Sequence, residues 1–491
     1  MPAPEVVIGV DSSTQSAKAV FVEAATGRIL ATGRARHRVT GEAGARESDP
    51  EGWWRALCEA VAEGFAGAGV PAAAVTGVAV AGQQHGLVVL DRSGRPLRPA
   101  VLWNDTRSAP QAAALARVLG GPAGWAARTG SVPVAAVTAA KWQWLREHEP
   151  RTADAAGAVR LPHDFLTERL TGTAATDPGD ASGTGWYATG TGAYDRRTLE
   201  HIGLDPALLP GVAPTGATPV GPLTASAAAA LGLVPGIAVA AGTGDNMAAA
   251  VGLGLGGAGL LGRPVLSLGT SGTVYAATRA RPVSPALSGF AATDGTFLPL
   301  GCTLNCTLAV DKVAALLGLD REAAEPGGEV VLLPYLDGER TPDLPAASGL
   351  LTGLRHTTSR EQLLGAAYEG AVVTVLRALD EVSRACGQDP AGPGAADVPL
   401  RLIGGGAAGR HWVETVRRLS GRPLILPHRR EPVATGAAAL AAGAATGEDP
   451  VALAIGWGAG EGTELPATER DIPTWERVVR VLDRAGGSLL S

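Results

Sequence analysis

The sequence predicts an α/β protein built from two similar halves. Short, unbroken apolar runs such as Val6-Val7-Ile8-Gly9-Val10 and Val75 to Val80 read as strands buried on both faces. Stretches of helical length lie between such runs, and polar residues collect where the strands end. A strand, a hydroxyl-rich turn and a second strand occur at residues 6–22 and again at 265–275. At 491 residues the chain is too long for one core and natural for two large domains.

Composition narrows the function. Hydrophobic residues make up 46% and charged residues 18%, which is globular and sufficient for a large core. The net charge of −6 and the lack of any polybasic run argue against a nucleic-acid surface. The uncharged run from Asn246 to Gly262 is interrupted by glycines and reads as a buried helix plus turn, so no membrane partner is expected. Cys58, Cys302, Cys306 and Cys386 show no zinc spacing. Cys302 and Cys306 are four apart and are expected to share a helical face as reduced thiols. Met-Pro-Ala-Pro-Glu runs straight into a strand without a signal-type region, so a cytoplasmic setting is expected. No oligomeric state follows from the sequence; a homodimer is kept as an expectation.

Taken in order, Val6–Val10 and Ala19–Val22 form a hairpin around Asp11-Ser12-Ser13-Thr14-Gln15-Ser16-Ala17-Lys18. Ile29–Thr32 is a third strand, and Pro50 opens a helix to about Ala66. The Val75 strand ends in Gly82-Gln83-Gln84-His85-Gly86. Leu87–Leu90 and Ala100–Val101–Leu102 are further strands, the latter ending in Trp103-Asn104-Asp105. Residues 138–149 are helical, Leu161-Pro162-His163-Asp164 starts a helix ending at Thr171-Gly172, Asp177–Gly185 is a loop, and Ile237–Ala241 is a strand feeding Gly242-Thr243-Gly244-Asp245-Asn246. In the second half, helices are expected at about 304–317 and 360–388. A strand at 400–403 runs into Gly404-Gly405-Gly406-Ala407-Ala408-Gly409, then come a helix near His411, a strand at 423–427 and a small-residue helix at 434–445. The opening hairpin distinguishes this order from a dinucleotide-binding fold.

The polar strand ends suggest chemistry. The first hairpin offers hydroxyls, backbone N–H groups and Lys18, a donor set suited to phosphate, and Asp11 suits Mg²⁺. Ser267–Thr273 is a second hydroxyl-rich turn. The Gly404–Gly409 turn lacks both the GxGxxG and the P-loop spacing but lets a nucleotide approach backbone. Gln83-Gln84-His85 offers fixed hydrogen-bonding groups for a polyol. Trp103-Asn104-Asp105 reads either as a ligand wall or as a strand end with a salt bridge. Asp245 is one carboxylate in a nearly uncharged stretch, expected to cap a helix whose N-terminus lowers its pKa. Together these parts suit phosphoryl transfer, where positioning and charge neutralisation do most of the catalysis.

These strings resemble the FGGY carbohydrate kinases. The likeness is carried by Gly82-Gln83-Gln84-His85-Gly86, Pro99 to Asp105, Leu161-Pro162-x-Asp164, Asp180-Ala181-Ser182-Gly183-Thr184, Gly244-Asp245-Asn246, Leu268 to Gly272, Leu333 to Pro342 and Ile403 to Ala407. It implies two ribonuclease H-like domains of the actin/hexokinase/Hsp70 superfamily with an interdomain cleft. Residues 1–243 would form the sugar side and 244–491 the ATP side. The activity implied is ATP- and Mg²⁺-dependent phosphorylation of D-xylulose at its 5-hydroxyl. Another pentulose or pentitol is the alternative substrate, and an actin- or Hsp70-like ATPase the alternative class. By the same resemblance Asp245 is the catalytic base, and Gln84, His85 and Asn246, with Trp103 and Asp105, are counted as sugar contacts. Asp11, Thr14 and Lys18 belong to the first phosphate loop with Asp11 toward the metal, Thr270 to the second, and Gly405, Gly406 and Arg410 to the adenosine site. Five positions depart from the family's pattern. Gln84 replaces a usual Met, Ser13 a usual Gly, His163 a common Lys, and Arg410-His411 a frequent Ser and acid.

Overall fold

The computed structural model describes residues 4–344, 346–429 and 431–490. Its contacts divide the chain into two compact units. One comprises Met1–Leu261, Arg281–Leu298 and Glu431–Ala459, and the other Gly262–Ala280, Pro299–Arg430 and Gly460–Ser491.

The first unit is organised on a sheet of β1 (Val6–Ser12), β2 (Ser16–Glu23), β3 (Ile29–Arg36), β4 (Val75–Gly82), β5 (Pro219–Pro222), β6 (Ala238–Ala240) and β7 (Thr243–Gly244), in the order β5-β6-β4-β1-β2-β3. β7 follows β6 along the same edge of β4. β1 runs antiparallel to β2 and parallel to β4, and β6 and β7 are parallel to β4. Every residue of β1 is buried because helices cover both faces. On one face Val6, Ile8 and Val10 pack with Trp53, Leu57 and Ala60 of the Pro50–Ala68 helix and with Phe165, Leu166 and Leu170 of the Pro162–Thr171 helix. On the other, Val7 packs with Val251 of the Asp245–Gly252 helix and with Ala434, Ala438 and Ala441 of the Pro432–Thr446 helix. β7, which spans the 243/244 junction, and the helix after it both lie in this unit.

Small residues have a structural use here. A Cβ on Gly9 would sit 2.0 Å from the Ala434 carbonyl oxygen, one on Gly252 2.0 Å from that of Pro432, and one on Gly436 1.8 Å from that of Ala248. The Pro432–Thr446 and Asp245–Gly252 helices therefore lie backbone to backbone, a spacing that at Gly252 and Gly436 only glycine permits. The Pro50–Ala68 helix begins as its sequence dictates, with the Asp49 side chain accepting from Glu51 N–H and Pro50 in the first turn. It ends at left-handed Gly69.

The second unit repeats the plan. β8 (Val265–Leu268), β9 (Gly272–Tyr275), β10 (Phe297–Thr303), β11 (Leu400–Ile403), β12 (Leu424–Pro427) and β13 (Gly462–Leu465) run in the order β10-β9-β8-β11-β12-β13. An antiparallel hairpin, β8 and β9, again stands beside a parallel strand, here β11.

Three local expectations change. Cys302 lies in β10 and Cys306 precedes the Thr307–Leu317 helix, so the pair shares no helical face; the four cysteines are free. Residues 177–185 are not wholly loop, because Asp177 caps a short Pro178–Ala181 helix. The strand before Trp103 shrinks to Ala100–Val101. Among the described residues no helix is long and apolar enough to cross a membrane.

Candidate active site

The register of the first sheet gathers the expected residues. Asp11 pairs with Ala81 and Ser12 with Gly82 across β1 and β4, while Thr243 and Gly244 pair with the same Ala81 and Gly82 from β7. Parallel strands end together, so Asp11, Gln83-Gln84 and Asp245 leave the sheet at one edge. Such carboxyl ends of parallel strands are where α/β sheets bind ligands.

Several polar atoms at this edge are buried and unpartnered. They are Asp11 Oδ1, Ser12 Oγ, both amide atoms of Gln83, and Gln84 Nε2. Buried polar atoms are nearly always satisfied within a folded protein, so a group of orphans at one sheet edge marks a place prepared for a polar ligand. Gln84 Oε1 is held by Asn246 Nδ2 at 2.9 Å, and the same Nδ2 donates to Asp245 Oδ1 at 3.0 Å. Gly244 makes that line possible, since a Cβ there would lie 2.7 Å from Gln84 Cγ.

Asp245 differs from its expected state in two ways. It is the first residue of the Asp245–Gly252 helix, and Gly244 is the cap. Its Oδ1 accepts instead from the neighbouring Asn246 N–H at 2.8 Å. Its pKa is not lowered by the helix end. Burial, then the negative charges of Asp11 and Asp180, push it up to about 7, and the Asn246 N–H offsets only part of this. The residue remains partly open to solvent while protein packs closely around its carboxylate.

Asp11 is likewise pushed up, to about 6, by burial, with Lys18 pulling it down. Lys18 lies 3.9 Å from Asp11 and is ion-paired to Glu431, which also faces Arg34 at 3.7 Å. Sequence reasoning missed Glu431. It stands 413 residues from Lys18, immediately before the Pro432–Thr446 helix, and no local pattern marks such a pairing.

The other residues expected to contact sugar divide. Trp103 Nε1 donates to Thr14 Oγ1 at 3.0 Å, joining the loop after the Ala100 strand to the first hairpin. His85 adopts a left-handed backbone with φ of 65°, and its Nδ1 lies 2.7 Å from the Gly183 carbonyl oxygen. That strain in a non-glycine residue is sustained by the packing around it. Asp105 is buried, and both its oxygens are used within the protein. Arg107 approaches each, and Arg46 N–H donates to Oδ2 at 2.7 Å. Its observed work is to fix the loop, the salt-bridge alternative of the sequence.

In the second unit, Ser267 of β8 pairs with Ile403 of β11, so the Thr270 turn and the Gly404–Gly409 turn leave the sheet side by side. Gly404 has φ of 86° and a Cβ there would lie 2.7 Å from Leu268 O, whereas one on Gly405 would meet nothing within 4 Å. Open space over Gly405 leaves backbone accessible to a ligand. Exposed Thr270 flanks it, and Arg410 opens the Arg410–Ser420 helix, also exposed.

Residues 6–252 match the N-terminal domain, and residues 265–445 the C-terminal domain, of the FGGY family of carbohydrate kinases. The chain belongs to that family. It is 58% identical over 481 residues to the xylulose kinase of Streptomyces rubiginosus, covering 98% of this chain and 96% of that protein. It is 57% identical over 481 residues to the xylulose kinase of Streptomyces coelicolor, covering 98% of this chain and 96% of that protein. Among solved structures, the xylulose kinase from Bifidobacterium adolescentis superposes with a TM-score of 0.82 at 33% identity, over 98% of this chain and 99% of that one. As an FGGY kinase, the chain has two ribonuclease H-like domains of the actin/hexokinase/Hsp70 superfamily, and ATP is its cosubstrate.

Proposed function

We propose that this FGGY kinase transfers the γ-phosphoryl group of ATP to the 5-hydroxyl of D-xylulose. The observation that carries the reading is the line Gln84–Asn246–Asp245 at one sheet edge, with unpartnered buried polar atoms beside it. The substrate is that of the xylulose kinases to which the chain is 57–58% identical.

In the reaction, Gln84, Asn246 and His85 orient the ketose, with Trp103 and the loop fixed by Asp105 at its border. The sugar oxygen attacks the γ-phosphorus and ADP departs. Asp245 accepts the hydroxyl proton late, once the loose transition state has made that proton acidic. Thr14, Lys18 and Thr270 are assigned to phosphate binding. Gly405, Gly406 and Arg410 receive the adenosine.

Mg²⁺ fits Asp11. Its Oδ1 is buried without a partner, and burial raises its pKa even though Lys18 pulls it down. Mg²⁺ takes one or two carboxylates plus phosphate oxygens. When bound, Mg²⁺ neutralises charge on the phosphate oxygens. A cytoplasmic setting and a homodimer complete the reading, the latter to be read by sedimentation equilibrium.

The direct test is ADP production. Wild-type protein with ATP, Mg²⁺ and D-xylulose is expected to turn over, and Asp245→Ala to lose turnover while keeping its circular dichroism spectrum. Normal turnover by a folded Asp245→Ala protein would remove the base assignment. The second reading, another pentulose or pentitol, rests on Gln84, whose polar amide stands where the family usually has Met.

A further inference from the structure

Behind the sheet edge lies a set of ionisable groups that phosphoryl transfer, as described, leaves unused. His163, Asp164, Asp177 and Asp180 are each at most 1% exposed. His163 Nδ1 lies 2.7 Å from Asp180 Oδ2, and Nε2 lies 3.3 Å from Asp164 Oδ1, close enough for attraction though not aligned as a hydrogen bond. Asp164 accepts from the Leu161 N–H at 2.8 Å, and Asp177 accepts from the N–H groups of Gly179 and Asp180.

This cluster abuts the proposed site at four points. Thr243, two residues before Asp245, donates its hydroxyl to Asp177 Oδ2 at 2.8 Å. A Cβ on Gly82, at the end of β4, would lie 2.9 Å from His163 Cβ, and one on Gly242 3.2 Å from His163 Cδ2. A Cβ on Gly179 would lie 2.9 Å from Met247 Cγ, in the Asp245 helix. His163 is thus wedged against the backbone that presents both Gln83-Gln84 and Asp245.

Its two ring nitrogens each face a carboxylate. A neutral imidazole would turn a bare lone pair toward one of them, whereas an imidazolium presents N–H on both sides. Three buried carboxylates with no cation among them would be strongly unfavourable. Resting on the assignment of Asp245 as the base, we infer that His163 is a positioning residue. Held as a buried imidazolium, it fixes Asp164 and Asp180 behind the site and offsets the negative charge that Asp245 feels. Burial would lower the His163 pKa, but Asp164, Asp180 and Asp177 outweigh it and raise it to about 9. Burial raises Asp164 and Asp177 to about 6, with His163 pulling both down. Tyr187 and Tyr194, the other titratable groups that feel these carboxylates, are pushed up by burial and stay neutral.

Imidazole NMR of the full-length enzyme tests this directly, with the His163 resonances assigned by their loss in His163→Lys. The inference requires both ring nitrogens protonated at pH 7.5, with titration only well above that pH; a neutral ring at pH 7 overturns it. Kinetics give the second arm. His163→Gln removes the buried positive charge, so the acid limb of kcat against pH should move upward by roughly one unit with KM for ATP little changed. His163→Lys keeps the charge and should leave the limb in place. A folded His163→Gln enzyme with an unmoved limb, or a Lys variant shifted as far as Gln, overturns the inference. Failure of the base assignment itself is read separately, from turnover by the Asp245 variants, and leaves the NMR result intact.

Discussion

Replacing Asp245 by Asn should make the enzyme nearly inactive and more stable, and the gain should depend on pH. Burial and the neighbouring charges of Asp11 and Asp180 raise the Asp245 pKa from 3.8 to about 7. The sign follows from proton linkage. Between those values the folded state binds more protons than the unfolded state, so stability falls as pH rises from about 4 to 7 and then levels off. At ~1.36 kcal/mol per pKa unit the shift corresponds to at most about 4 kcal/mol, and the partial access of the side chain to water brings this to about 2. Asn keeps the shape and the acceptor for the Asn246 N–H but never ionises. The Tm advantage of Asp245→Asn over wild type should therefore grow from pH 5 to pH 7.5 and reach a few degrees, while kcat falls by about 10²–10⁴-fold. Thermal melts of both proteins, without ligands, across that pH range supply the measurement. A Tm difference flat with pH would show that Asp245 carries no raised pKa. A variant less stable at every pH would show that its charge is favourably held.

Three further outcomes are expected. In the free enzyme kcat/KM for the sugar should fall as pH drops through about 7, because the base must be unprotonated; a limb near pH 4 would contradict the raised pKa. Gly436→Ala, whose Cβ would sit 1.8 Å from the Ala248 carbonyl oxygen, should destabilise the protein by about 3 kcal/mol or more, whereas Gly456→Ala, with nothing within 4 Å, should change Tm little. Gln84→Met removes the acceptor for Asn246 Nδ2 and should re-rank a panel of pentuloses and pentitols by kcat/KM; an unchanged ranking would clear Gln84 of any part in sugar choice.

Much of the fold was legible because its signals are local. The run Val6–Val10 is apolar throughout because both faces of β1 are covered, and Pro50 and Gly172 punctuate helices where turn chemistry requires them. Asp11, Gln84 and Asp245 could be marked because each follows an apolar strand. Their meeting at one edge came from the register of β1, β4 and β7, which residue patterns do not encode. The illegible parts are the non-local ones. Glu431 neutralises Lys18 across nearly the whole chain, and the Pro432–Thr446 helix returns to cover the first sheet. The Asp245 pKa went the other way from expectation because helix-end geometry is a local effect, whereas desolvation and the charge of Asp180 arise only in the fold. Cys302 and Cys306, read as helical neighbours by spacing alone, fall either side of a strand end. Abundant Gly and Ala carried no position-specific meaning until the backbone contacts of Gly9, Gly252 and Gly436 were seen.

The central claim, sugar phosphorylation with Asp245 as base, is tested most directly by the product itself. D-xylulose labelled with ¹³C at C5 is incubated with ATP and Mg²⁺, and the product is read by ¹³C and ³¹P NMR beside the Asp245→Asn protein. The expected result is a phosphate ester showing phosphorus coupling at C5, one ADP for each ester formed, and no ester from the variant. ADP released without any ester, an ester at another carbon, or equal product from Asp245→Asn would contradict it.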